Sequence, residues 1–600
     1  MLLLPLSSLL FWHSPGLEGA QTHSTGQENF YKSGATQADP VDAVYEGLRP
    51  ASWGNYMFLQ DVASDAIFLP TRGRDWDDGG TWRDLQEHTW QPFLGFVNRA
   101  WVEAYNGIAL ANIAIDSLEV NGSGSALTPT FIAEVRVLRA LYYWWLLDLF
   151  RNVPLVTDPN PDPNLPPAQV SPQVLFNFIV DETIAALPDL EVSFAAENYG
   201  RVTQGAAHAL LATVSLNAEV YTGTAKWNET LGASDAVINS GLYDLMTTFT
   251  EVFALENEGP LNPENILVVV HSPNSDFGFL RHMATLHYNQ LPENPWNGFS
   301  VLADFYNNFD PTDARRDQIL VGQQYVLGGT NVGDLAFDRL GDSLIFTVDS
   351  PLIGATEGNG PRILKWPVDP NRNEFNAGND YAIFRYAHIL LVKAEALFML
   401  GSTAEALALV NQVRERAFEP DQPLTSLTLD DILAERGYEF LWEGYRRQDL
   451  IRTGHFLEAW TLKNTSDGPH REVFPIPQIQ LDANPNLVQN AGYGTVGVTL
   501  TDRQGILPGV YAFRQNYPNP FNPATRIEFD LPDQVHVSLT VYDITGREVI
   551  TLVNQSMPSG YHRLVWDSRD AKGQQVPSGI YITRLITPEF SHSIKMVLLR

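Results

Sequence analysis

A chain of 600 residues is longer than one hydrophobic core supports, so at least two domains are expected. Its formal net charge of −32 argues against a nucleic-acid partner, whose phosphates need lysine and arginine, and is compatible with neutral or cationic ligands. With no cysteine, disulfides, thiolate catalysis, cysteine-ligated metals and lipid attachment through a thiol are all excluded.

In chain order, residues 1–12, MLLLPLSSLLFW, form an apolar run too short to span a bilayer. They read as the core of a signal peptide over 1–20, cleaved near Ala20. Residues 29–48 read as a loop entering a helix. Residues 61–92 follow, DVASDAIFLPTRGRDWDDGGTWRDLQEHTWQP, with little periodicity and a high density of Trp, Arg, Asp and Gly. Loops this long inside compact domains are usually functional.

Helical spacing predicts a pair over 96–118 and 130–150, with Leu138, Leu141 and Trp145 on one buried face. Ser171-Pro172 starts another helix, serine as N-cap and proline in the first turn, ending before Pro188. Residues 203–221 and 228–240 form a second pair closed by Gly241. A third covers 381–400 and 403–418 around Gly401, and its alanine-rich pattern resembles tetratricopeptide repeats. Between the second and third pairs, 261–380 reads as an irregular lobe with a few strands, such as 266–270.

Residues 432–456, ILAERGYEFLWEGYRRQDLIRTGHF, predict one long helix stopped at Gly454. Glu435, Glu439 and Glu443 recur every four residues and would repel unless arginines answer them. Arg436, Arg446, Arg447 and Arg452 are the local candidates, with Arg414 and Arg416 just upstream. Acid–base chemistry and a structural ion-pair network both fit, and the network is preferred. A linker at 495–513 leads to short alternating strands with glycine turns, an antiparallel sandwich over 514–600.

The sharpest ligand candidates lie in the 61–92 loop. Sugar rings present C–H faces to Trp and Tyr, while their hydroxyls need charged or amide partners. Trp76, Trp82 and Trp90, with Arg72, Arg74, Asp75 and Asp77, supply both. The bland alternative is that these tryptophans pin the loop to the scaffold. Asp75, Asp77 and Asp78 cluster as calcium ligands do but lack the full twelve-residue loop. No Walker loop, dinucleotide fingerprint or nucleophile elbow occurs, and no metal or cofactor is expected.

The 432–456 pattern, ER-x2-EF-x2-EG-x-R-x2-DLIRTG-x-F, resembles the C-terminal signature of the SusD/RagB family of outer-membrane nutrient-binding proteins. FRYAHILLVKAEALFMLG, VFPIPQIQLDANPNLVQNAGY, EVRVLRALYYWWLLDLFRNVPLVT and residues 200–223 resemble further blocks of that family, in the right order. Gln480 stands where the family pattern has glutamate. The resemblance implies a mainly α, tetratricopeptide-type scaffold over 21–494 with an irregular ligand-binding lobe. It also implies a non-catalytic protein that captures an oligosaccharide or polysaccharide at the cell surface for a SusC-like TonB-dependent transporter. It points to the middle lobe for further contacts, here Tyr288, Trp296 and Asn297. NYPNPFNPATRIEFDLP, VYDITGREV and IKMVLLR resemble the FlgD-like, Ig-like sorting domain of type IX secretion substrates, implying that machinery as a partner and a route to the outer membrane without a lipidation cysteine. A peptide ligand within the same family, or a secreted glycan hydrolase, are the rival readings.

Overall fold

The computed structural model describes residues 39–493 and 511–598, apart from 122–126, 163–164, 195, 258, 275–277, 515, 517–518, 520, 522–524 and 573. The expected signal peptide and most of the expected linker lie outside them. The chain divides into two compact units, Met1–Gly494 and Thr495–Arg600.

The first unit is a stack of helices. α1 (Gly95–Asn121) lies along α2 (Thr128–Phe150), α2 packs on α3 (Pro172–Ala186), and α3 on α4 (Gln204–Leu216). α5 (Trp227–Asn239) bridges α4 and α6 (Tyr386–Met399), which packs on α7 (Thr403–Glu415). α2 is buried at every position from Val137 to Phe150, as expected of a helix with neighbours on several sides. The caps follow the sequence: Ser171 Oγ accepts from Val174 N, and Gly241 and Gly401 take φ of 66° and 88°.

Three expected helices are corrected. The 203–221 segment is divided at Asn217 into α4 and the short helix Ala218–Thr222. Residues 381–385 are a strand, β2 (Tyr381–Arg385), which pairs antiparallel with β1 (Asn265–Val269) before α6 begins. The alternation of aromatic and aliphatic residues there is strand-competent, and only a partner from the lobe makes it a strand.

The 432–456 segment is two helices, α8 (Leu429–Glu439) and α9 (Arg446–Thr453). Between them Trp442 and Gly444 take φ of 66° and 80°. Left-handed backbone is costly for a tryptophan. It is compensated by buried donors that capture the carbonyls freed from the helix. Lys365 Nζ donates to Glu439 O and Leu441 O at 2.8 and 3.0 Å, Tyr381 Oη donates to Glu443 O at 2.7 Å, and Arg281 donates to Trp442 O. Gly454 caps α9 at φ 84° as expected.

The second unit is an antiparallel sandwich. One sheet has the order β3–β4–β7, with β3 (Ala512–Phe513), β4 (Thr525–Leu531) and β7 (Gly560–Trp566). The other has the order β6–β5–β8–β9, with β5 (Val535–Asp543), β6 (Glu548–Met557), β8 (Gly579–Ile586) and β9 (Ser591–Leu598). Alternate residues, Ile527, Phe529 and Leu531 against Val537, Leu539 and Val541, fill its core. No helix among the described residues is long and apolar enough to cross a membrane.

Candidate functional site

Two regions of the first unit gather charged or aromatic side chains. The first is built on α8. Arg385 donates to Glu264, Glu439 and Glu443, and Arg416 bonds Glu264 and Glu439. Arg315 bonds Asp313 and Glu435 at 2.7 and 2.8 Å. All of these side chains are buried. Desolvation pushes the Glu439 carboxyl up, but Arg416, Arg385 and Arg315 together outweigh it and hold Glu439 well below the usual carboxylate range. An ionised, fully buried carboxylate, with Oε1 bonded to Arg385 and Arg416 and Oε2 3.6 Å from Arg315, does not reach a substrate. The ion-pair network is present, but its partners are corrected: of the expected arginines only Arg414 and Arg416 answer these glutamates, while Arg436, Arg446, Arg447 and Arg452 pair with Asp449, Asp65, Asp148 and Glu395.

The second region forms where the 67–80 loop meets the lobe. Ile67–Phe68 pairs antiparallel with Ser300–Val301, and Thr71 N donates to Leu352 O at 2.9 Å. Arg72 completes the seam, donating to Asn297 O, Thr356 O and Ser300 Oγ at 2.9, 2.6 and 3.0 Å. Burial pulls its guanidinium down to about 10, still cationic at neutral pH. Asn297 is fully buried, with Oδ1 accepting from Arg362 at 2.8 and 3.0 Å. Arg72 and Asn297 are therefore corrected from ligand contacts to fasteners between loop and lobe.

Trp82 and Trp90 are corrected likewise. Trp82 is buried among Phe58, Phe96 and Phe299, and its indole N–H donates to Asp78 Oδ2 at 2.8 Å. Trp90 is 0% exposed, packs against Phe474 with the rings tilted by 39°, and donates to Tyr493 Oη at 2.6 Å. Such bonded, enclosed indoles are packing anchors.

Trp76, Trp296 and Tyr288 remain half-buried, and the structure brings them together. Trp76 has φ 64°, and its indole N–H donates to Trp296 O at 2.8 Å. Gly298 makes room for that ring: a Cβ there would lie 3.0 Å from Trp76 Cζ2 and 2.7 Å from Ala284 O. Trp53, also half-buried, sits against Trp296 with centroids 5.8 Å apart. Tyr288 Oη donates to Asp75 Oδ2 at 2.6 Å. Burial first, then that bond, raises the tyrosine, so it stays a neutral donor. The Arg339 guanidinium lies 4.1 Å from the Tyr288 ring centre, 3.4 Å from Asp75 Oδ2, and is bonded to Glu357. Arg74 and Asp77 are exposed on the same loop.

The result is a partly exposed aromatic surface of Trp53, Trp76, Trp296 and Tyr288, rimmed by Asp75 and Arg339. It can stack on the apolar face of a ligand while bonding its hydroxyls. Asp75 and Asp78 are committed to different partners, Tyr288 and Trp82. Among the described residues no cluster of three or more His, Asp or Glu is arranged to hold a metal ion. Sequence reasoning missed Trp53, Arg339 and Glu357. Their only sequence signal is an aromatic or charged residue close to a glycine, as in SWGN and FDRLGD.

A SusD family profile matches residues 281–493, and one described as starch-binding associating with outer membrane matches 42–216. A FlgD Ig-like domain profile matches 519–585. The starch-binding protein SusD of Bacteroides thetaiotaomicron is 25% identical over 465 residues, covering 70% of this chain and 82% of that protein. SusD-like protein P25 of Formosa agariphila is 26% identical over 433 residues, covering 66% and 80%. Among solved structures, a laminarin-binding SusD-like protein matches with a TM-score of 0.64 at 26% identity, covering 76% of this chain and 99% of that one. Surface glycan-binding protein A of Bacteroides thetaiotaomicron, in complex with laminarihexaose, has a TM-score of 0.60 over 76% of this chain and 98% of that one; at 22% identity that likeness concerns the fold alone.

Proposed function

Because this chain belongs to the SusD family through its first unit and carries an Ig-like domain of the FlgD type after it, we propose that it is a non-catalytic glycan-binding protein of the cell surface. It captures oligosaccharides or polysaccharides and passes them to a SusC-like TonB-dependent transporter. The observation that carries this reading is the aromatic surface of Trp53, Trp76, Trp296 and Tyr288 with its Asp75–Arg339 rim. Indole rings left partly open in the free protein supply the stacking area a pyranose needs, and the rim supplies its hydrogen bonds. Relatives named for starch and laminarin binding favour a glucan ligand.

Export fits the same reading. The sequence contains no cysteine, and we read the C-terminal sandwich, which matches a FlgD Ig-like profile, as a sorting domain resembling those of type IX secretion substrates. Titrating the purified protein with laminarin and soluble starch, and analysing the incubated glucans for shortened chains, tests the proposal. Saturable binding with unchanged chain length is expected. Steady release of reducing ends would overturn the non-catalytic reading, and no binding of any glycan in a broader panel would overturn the ligand class.

A further inference from the structure

The lobe carries a meander over residues 322–346 that the candidate site does not absorb. Gln323 pairs with Ile345, Tyr325 with Leu335, and Phe337 with Ser343. Side chains alternate along it. Ala336, Leu344 and Phe346 turn inward and form their own small core. Tyr325, Leu335, Phe337 and Ile345 turn outward, each 46–52% exposed. Outward positions of a one-sided meander are ordinarily polar, and exposed apolar surface of this kind marks a binding face.

This face adjoins the aromatic site. Asn289, next to Tyr288, donates to Phe337 O at 2.8 Å. Arg339, two residues beyond Phe337, stacks on Tyr288 and bonds Glu357. Two residues of extended chain span at most about 7 Å. Phe337 therefore lies within roughly one pyranose-sized step of the Tyr288–Arg339 rim. The meander's charge is lopsided: Asp334, Asp338 and Asp342, with Asp75 beside them, outweigh Arg339. An anionic chain would be repelled there, while an uncharged one would lose nothing.

We propose that the outward face of Tyr325, Leu335, Phe337 and Ile345 continues the glycan site past Tyr288, so that the protein selects long, uncharged glycan chains. The inference rests on the glycan-binding reading and adds the length and charge class of the ligand. A long chain gains contacts on the meander after its first units are held at Trp76 and Trp296. A short oligosaccharide fills the first surface alone.

The test uses the full-length protein and two ladders: laminaritriose, laminarihexaose and laminarin; maltotriose, maltohexaose and soluble starch. Affinity is measured for the unmodified protein, for Tyr325→Ser with Phe337→Ser, and for Trp296→Ala. The exposed serine replacements open no core cavity, and unchanged melting verifies that; if the pair melts low, each single replacement is used. The unmodified protein should tighten with chain length. The double variant should bind the trisaccharide normally but lose about tenfold on the polymer, the scale of one or two aromatic contacts. Trp296→Ala should weaken every length. Carboxymethylated polymer should bind the unmodified protein about tenfold more weakly than its parent, as like charge disfavours contact. If the double variant tightens with length as the unmodified protein does while Trp296→Ala weakens all lengths, the extension is overturned and the primary site stands. If Trp296→Ala changes nothing, the primary site is misplaced and the extension falls with it. Equal binding of carboxymethylated and parent polymer overturns the charge class, and no binding in either ladder overturns the neutral-glucan class.

Discussion

Glu439 and Trp296 sit in regions made from overlapping residue types and arranged to opposite ends. Around Glu439, guanidinium and carboxylate groups are enclosed and each answers another. Around Trp296, indole and phenol rings are left half-open with two charges at the edge. The difference is closure. A buried charge must be paired, so the first region is committed to itself. An aromatic ring costs little to leave partly wet, so the second has surface to offer. Glutamates and arginines look like chemistry in a sequence, and here they are masonry.

The largest expected effect breaks the first region. Glu439→Ala leaves Arg385 and Arg416 facing each other in the interior without that carboxylate, at a cost of about 3–5 kcal/mol of folding stability. Chemical denaturation should show the loss, with glycan affinity of the folded protein unchanged. Normal stability with abolished binding would exchange the roles of the two regions.

Two tryptophans sharpen the contrast. Trp90→Ala should cost about 3–5 kcal/mol of stability through the cavity it leaves. Trp296→Ala should instead cost about 2 kcal/mol of glycan binding, more than tenfold in affinity, with a much smaller change in melting. Calorimetric titration and melting of the pair would contradict the division if both variants behaved alike.

Acidity probes three further carboxyl groups of the first unit. Burial raises Asp61, Glu103 and Asp380 to about 7. Their folded-state values lie above their unfolded ones, so their contribution to stability is complete below about pH 4 and is lost as pH rises through about 7. Each group should cost about 1 kcal/mol between pH 6 and 8, read as falling stability of the helical signal. Glu103→Gln should flatten that slope, and an unaltered slope would refute the account.

Smaller still is Arg339→Ala. Its side chain is 52% exposed, so its pairs with Asp75 and Glu357 should contribute under about 1 kcal/mol to stability. Glycan affinity should fall a few-fold, because Tyr288 and Asp75 lose the guanidinium that braces them. Deleting residues 495–600 should change the first unit least, since it has its own core. A truncated chain without a cooperative transition would show that the first unit depends on the second.

Much of this was legible in local pattern. Ser171-Pro172, Gly241, Gly401 and Gly454 end or begin elements where backbone chemistry requires it, and that chemistry is local. The alternation over 525–598 marked a sandwich because strand burial repeats every second residue. The Glu-Arg pairing was legible as a type of interaction, because unpaired charges at four-residue spacing are disfavoured. Other features required distant partners. Residues 381–385 became a strand only against 265–269, and the helix expected over 432–456 broke only because Lys365, Tyr381 and Arg281 capture its carbonyls. The four loop and lobe tryptophans, Trp76, Trp82, Trp90 and Trp296, are alike in sequence. Packing against Phe58, Phe96 and Phe474 closed two of them, and the seam at Arg72 and Gly298 left the other two open. A residue's type sets what it can bind, but exposure is decided by the atoms the tertiary fold brings against it, whether from nearby Phe96 or from distant Phe474.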